Sequence, residues 1–143
     1  MPAWLLFAVL AAILYGFHQV FTKLAANGIS DGLGALVVEG SAALTVLLYL
    51  LFLGLTHWNQ RATPAGVGVS LLTGVCVGAG TVCFFILFQK GGPLSAVPMI
   101  LAGGAALMAL TGIVVFKESL SLPKVLGIVL SLAGLFLLKY SSR

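Results

Sequence analysis

Apolar runs too long and too poor in charge for a soluble domain dominate this chain. Between Leu33 and Leu55 a single charged residue, Glu39, breaks the apolar sequence. Comparable runs cover residues 4–23, 65–88, 94–116 and 124–139. Each approaches the roughly 20 residues that an α-helix needs to cross about 30 Å of hydrocarbon. In lipid a backbone amide must be bonded inside its own helix or inside a closed barrel, and the residue-by-residue alternation of a barrel strand is missing. The expectation is an all-α integral membrane protein with five transmembrane helices at 4–23, 33–56, 65–88, 94–116 and 124–139, forming one domain over residues 1–143. With 61% apolar and 7% charged residues, the composition points the same way.

The breaks between the runs carry ordinary turn chemistry: Asn27-Gly28 with Ser30-Asp31-Gly32, residues 59–64, Gly91-Gly92-Pro93, and residues 119–123. None is long enough to hold a soluble domain. The first run lacks a basic region before it and a persuasive cleavage site, so it reads as a retained helix rather than a signal peptide.

Little here suggests chemistry on a substrate. Cys76 and Cys83 sit seven residues apart on one helix, roughly 10 Å along its axis, too far for a disulfide; they read as small apolar packing residues. No metal-ligand spacing, no nucleophile beside a base and no phosphate-cradling glycine loop occurs. The net charge of +4 is scattered over loops rather than gathered into a nucleic-acid-binding stripe. The expectation is a protein that is not an enzyme, needs no cofactor and binds no nucleic acid, its surroundings being the lipid bilayer.

Glu39 is then the residue to explain. A charge at membrane depth costs at least about 2.5–3.5 kcal/mol on insertion scales, so intramembrane acids generally face a bundle interior or a wet cavity. Counting 1.5 Å per residue puts His18 of the first helix at a similar depth. Neighbouring antiparallel helices could join imidazole to carboxylate, with Tyr15 one turn away and Gln19 alongside. Glu39, His18, Tyr15 and Gln19 are therefore the candidate substrate- or proton-binding residues; the other reading is a structural pair holding two helices together.

Small residues mark places where helices can approach closely in lipid: Gly74 and Gly78, Ala102 and Ala106, and a stripe of Gly127, Ser131 and Gly134 on the last helix. That stripe packs either inside the chain or against a second copy. Pro98 is expected to kink the fourth helix, and Trp4, Trp58 and Tyr140 to anchor helix ends at the interface. With the N-terminus on side A, Arg61, Lys117 and Lys124 fall on side A and Lys23, Lys90, Lys139 and Arg143 on side B. Lys and Arg bias normally fixes orientation. A split this even leaves two readings, one topology held by other features, or insertion both ways into an antiparallel homodimer that imitates an inverted repeat.

Tyr15-Gly16 followed by Lys23, then Phe116-Lys117-Glu118-Ser119-Leu120-Ser121 with Gly127 and Gly134, resembles the EamA repeat of the drug/metabolite transporter superfamily. The resemblance covers essentially the whole chain and implies five helices per repeat. A single repeat, as in the related small multidrug resistance branch, implies two chains working together, and the Gly127–Ser131–Gly134 stripe resembles the glycine heptad through which those subunits dimerise. Two departures stand out. Tyr15 occupies the place where that branch carries its binding carboxylate, and Glu39 lies near where EamA repeats often have Arg. The resemblance implies a transporter, working as a homodimer in the bacterial inner membrane, that moves a small metabolite or amphipathic cation by alternating access with proton coupling. Alternatives are a flippase subunit for a lipid-linked substrate and a non-transporting accessory subunit.

Overall fold

The computed structural model describes residues 3–56, 61–119 and 121–141. All regular structure among them is helical: α1 Ala3–Ala25, α2 Asp31–Thr56, α3 Pro64–Gln89, a 3-10 turn Leu94–Ala96 leading into α4 Val97–Val114, and α5 Leu122–Ser141. Four stretches, Ala3–Ala25, Asp31–Thr56, Pro64–Gln89 and Leu94–Val114, are long and apolar enough to cross a membrane. These helices fall where the apolar runs placed them. Trp58 lies outside the described residues, as do the side chains of Tyr140 and Ser131.

Local chemistry sets the helix ends. Asp31 opens α2, where its carboxylate accepts the Gly32 N–H at 2.8 Å and meets the positive end of the helix dipole. Thr63 caps α3 by accepting the Gly66 N–H at 3.1 Å, with Pro64 in the first turn, where its missing N–H costs nothing. At the other end of α3 the Gly91 N–H reaches the Phe88 carbonyl and the Gly92 N–H the Leu87 carbonyl, at 3.0 and 2.9 Å. This is a Schellman closure, and it needs the left-handed φ of +81° that Gly91 supplies. Pro98 does not kink α4. It lies in the first turn, where no helical N–H is lost, and the Leu94 carbonyl is met by the Val97 N–H.

The chain divides into two units, Met1–Gly92 and Pro93–Arg143. In the first, α3 packs against both α1 and α2. Each of the three helices buries one narrow stripe at helical spacing: Gln19 and Thr22 on α1 with Ala26 just beyond it, Gly34 and Ala35 on α2, and Thr81, Phe85 and Phe88 on α3. Large apolar side chains such as Leu14, Phe21, Leu47 and Val75 are exposed instead. Gln19, Thr22 and Thr81 among the few buried side chains, with most Leu and Val and many Phe outside, depart from the pattern of a water-soluble protein and suit a hydrocarbon solvent. The tightest approach is between α2 and α3, where a Cβ on Gly34 would stand 2.7 Å from Phe85 Cζ.

In the second unit α4 packs against α5. The end of α4 is widened. The Val115 and Phe116 N–H groups both reach the Thr111 carbonyl, at 2.9 and 3.3 Å, and the Glu118 N–H returns to the Gly112 carbonyl at 3.0 Å. That return requires Lys117 to adopt φ +50°, the one left-handed non-glycine among the described residues.

Candidate functional site

Glu39 lies eight residues into α2 and Thr81 eight residues before the end of α3, so in this antiparallel pair both sit about 12 Å from the same end. The Thr81 hydroxyl donates to Glu39 Oε1 at 2.5 Å, within the short range of charge-assisted hydrogen bonds, and also lies 3.1 Å from the Val77 carbonyl. Thr81 is buried and Glu39 half-buried. Among the described residues only one carboxylate oxygen of Glu39 has a hydrogen-bond partner.

His18 is not that partner. Its ring stands edge-on to Tyr15, with centroids 6.4 Å apart, and among the described residues no ion pair joins it to Glu39. The physical reason is the packing order: α1 and α2 both rest chiefly on α3, so the group facing Glu39 comes from α3. Tyr15 is exposed and His18 half-buried. Gln19, by contrast, belongs to the buried stripe of α1, only 7% exposed, and its amide oxygen is buried without a hydrogen-bond partner. A buried acceptor left unmet costs about 1–3 kcal/mol, and a donor from a water or a ligand would relieve it.

The site lies at the level where burial within the first unit ends. Residues 6–17 of α1, 40–49 of α2 and 64–77 of α3 are exposed, whereas the stripes between this level and side B are closed. That closed end is tied by three contacts. Gln89 Nε2 donates to the Ile29 carbonyl at 2.8 Å, Lys23 Nζ donates to the Gly92 carbonyl at 3.3 Å, and the same ammonium stands 5.7 Å above the Phe88 ring, where cation–π attraction adds to the hydrogen bond.

Other sequence expectations fall elsewhere. Cys76 and Cys83 are free and exposed rather than packed. A Cβ on Gly74, Gly78, Gly127 or Gly134 would meet nothing within 4 Å, so neither glycine set marks a tight contact among the described residues. No cluster of three His, Cys, Asp or Glu able to hold a metal occurs among them.

With this geometry in hand, comparison with known proteins gives two matches. A family model described as the EamA-like transporter family matches residues 2–140. An uncharacterized protein of Methanocaldococcus jannaschii is 27% identical over 143 residues, an overlap of 99% of this chain and 100% of that relative. No solved structure matches the chain.

Proposed function

The chain belongs to the EamA-like transporter family, and from that premise we propose that this multi-pass membrane protein moves a small metabolite or amphipathic cation by alternating access, with Glu39 as its binding or proton-exchanging carboxylate. The observation that carries this reading is the hydrogen bond from Thr81 to one oxygen of Glu39. It fixes the carboxylate in direction at the level where burial ends and leaves its second oxygen available. Gln19 supports it with an unmet acceptor on the buried face of α1, suited to a substrate that brings N–H or O–H donors. Both groups favour a cationic or donor-rich ligand over an anion.

In this reading the contacts of Lys23 and Gln89 close side B, and alternation requires them to open. Opening exchanges two hydrogen bonds and a cation–π contact for solvation, each worth on the order of 1 kcal/mol, which a substrate's differential affinity for the two states can supply. The proposal extends to the assembly. α5 crosses as a fifth span, and its Gly127–Ser131–Gly134 stripe meets a second copy, giving the pair of repeats that inverted-repeat transporters use.

The test compares Glu39→Gln and Thr81→Val with wild type in proteoliposomes carrying a trapped pH dye, challenged with a panel of amino acids and lipophilic cations, and measures the melting temperature of the same preparations. Glu39→Gln should melt close to wild type and lose substrate-linked proton movement or uptake. Thr81→Val keeps the charge and releases its direction, so it should weaken apparent substrate affinity more than the maximal rate. If Glu39→Gln lowers the melting temperature while uptake by the surviving protein is intact, the carboxylate is structural and the site assignment fails.

A further inference from the structure

The second unit holds a pocket remote in sequence from Glu39, and the proposal drawn from it stands independently of the transport reading. It is an open groove rather than an enclosed cavity, about 340 Å³ in volume and lined by Leu107, Met108, Thr111, Gly112, Phe116 and Glu118, with Leu107, Met108 and Phe116 67, 68 and 73% exposed; its volume is within the size range of small-ligand sites. Its walls are apolar apart from one hydroxyl and one carboxylate. The hydroxyl is committed, since Thr111 Oγ1 donates to the Leu107 carbonyl at 2.8 Å.

The carboxylate is placed there at a cost. Lys117 turns through φ +50°, roughly 1–2 kcal/mol above a right-handed conformation for a non-glycine residue, and the Glu118 N–H folds back to the Gly112 carbonyl. The carboxylate then lies beside Gly112, at ordinary contact distance: a Cβ there would stand 3.4 Å from Glu118 Cδ and 3.5 and 3.6 Å from its oxygens. It stands at the C-terminal end of α4, where the helix dipole is negative and an anion is disfavoured. A carboxylate and a helix C-terminus side by side form a field that attracts positive charge. Glu118 also interacts within the chain, but an ionised carboxylate has about four lone-pair sites, so a ligand can share it.

We propose that this groove binds a primary ammonium carried on an apolar chain, with Glu118 and the end of α4 receiving the ammonium and Leu107, Met108 and Phe116 receiving the apolar body.

Methionine methyl NMR reads this directly. The chain has three methionines, Met1, Met99 and Met108. Met108 lines the groove, and Met99 is nine residues earlier on α4, about 13 Å along its axis. In full-length protein in nanodiscs, octylammonium should shift the ¹³C-methyl signal of Met108 saturably and leave Met99 in place, while 1-octanol at equal bilayer loading should not. Glu118→Gln should weaken the octylammonium affinity about tenfold, the loss expected for one charge-assisted hydrogen bond. Leu107→Trp, at an exposed position on the rim, should block the groove and weaken binding without touching the carboxylate, so it decides the matter if Glu118→Gln does not fold. Equal response to octanol, parallel shifts at Met99 and Met108, or wild-type affinity in Leu107→Trp or in folded Glu118→Gln would overturn the proposal; the last outcome would assign Glu118 wholly to its contact within the chain.

Discussion

Phe85 of α3 packs against Gly34 of α2 through one edge of its ring, and it is completely buried there, with 0% of its surface exposed. In lipid, association between helices rests on contact of this kind and on hydrogen bonds, because the tails are as apolar as the side chains. Adding one methyl at Gly34 overlaps a ring that has nowhere to move, and overpacking typically costs about 1–3 kcal/mol. Gly34→Ala should therefore lower the denaturation midpoint in detergent or nanodiscs by that amount. Gly74→Ala, where a Cβ meets nothing within 4 Å, should be neutral or stabilising by up to about 1 kcal/mol from helix propensity. Equal effects at the two glycines would show that the α2–α3 contact is not the tight one.

The two left-handed residues give predictions of opposite sign. Gly91 closes α3 at φ +81° and Lys117 closes α4 at φ +50°. Gly91→Ala places a Cβ in a conformation that costs about 1–2 kcal/mol and should destabilise by about that much. Lys117→Gly relieves a similar strain, offset by the greater entropy of glycine in the unfolded chain, and should be neutral or stabilising by up to about 1 kcal/mol. Thermal unfolding of both variants under one set of lipid conditions checks the pair. A destabilised Lys117→Gly would mean that the lysine side chain holds the turn more strongly than its backbone strains it.

Which parts were legible in the sequence follows from how strongly each signal stands out from its surroundings. Four spans and most helix ends could be read because uncharged runs and Gly, Pro and Asn breaks have few other interpretations. Glu39 stood out as a charge in an apolar run. Thr81 did not, because threonine in an apolar helix ordinarily bonds back to the carbonyl four residues earlier, as Thr22, Thr45, Thr73 and Thr111 all do here. Depth counting would have matched Thr81 to Glu39 as well as it matched His18. The sequence favours the first and second helices as partners because chain neighbours are usually neighbours in space, whereas here α3 packs against both. The role of Lys23 was hidden for another reason: read as a charge near a helix end, it instead bonds the Gly92 carbonyl and covers Phe88, and no local pattern joins positions so far apart.

That contact bears on orientation. Positive charge on short loops biases insertion, and the count is three basic residues on side A, Arg61, Lys117 and Lys124, against Lys23, Lys90, Lys139 and Arg143 on side B if all five helices cross. Lys23 is held in the folded state by its carbonyl and ring partners, but it keeps its charge and insertion precedes that contact, so it counts during biogenesis. A difference this small gives little instruction, and the proposed antiparallel pair requires both orientations to be populated. Fusions of a reporter to the C-terminus that is active on one side of the membrane only, paired with one active on the other, should both give signal. Adding two lysines beside Arg61 should lock one orientation, and adding them beside Lys139 should lock the other. Signal from a single reporter in the wild-type chain would overturn the antiparallel assembly and leave a parallel pair or a different partner chain to complete the transporter.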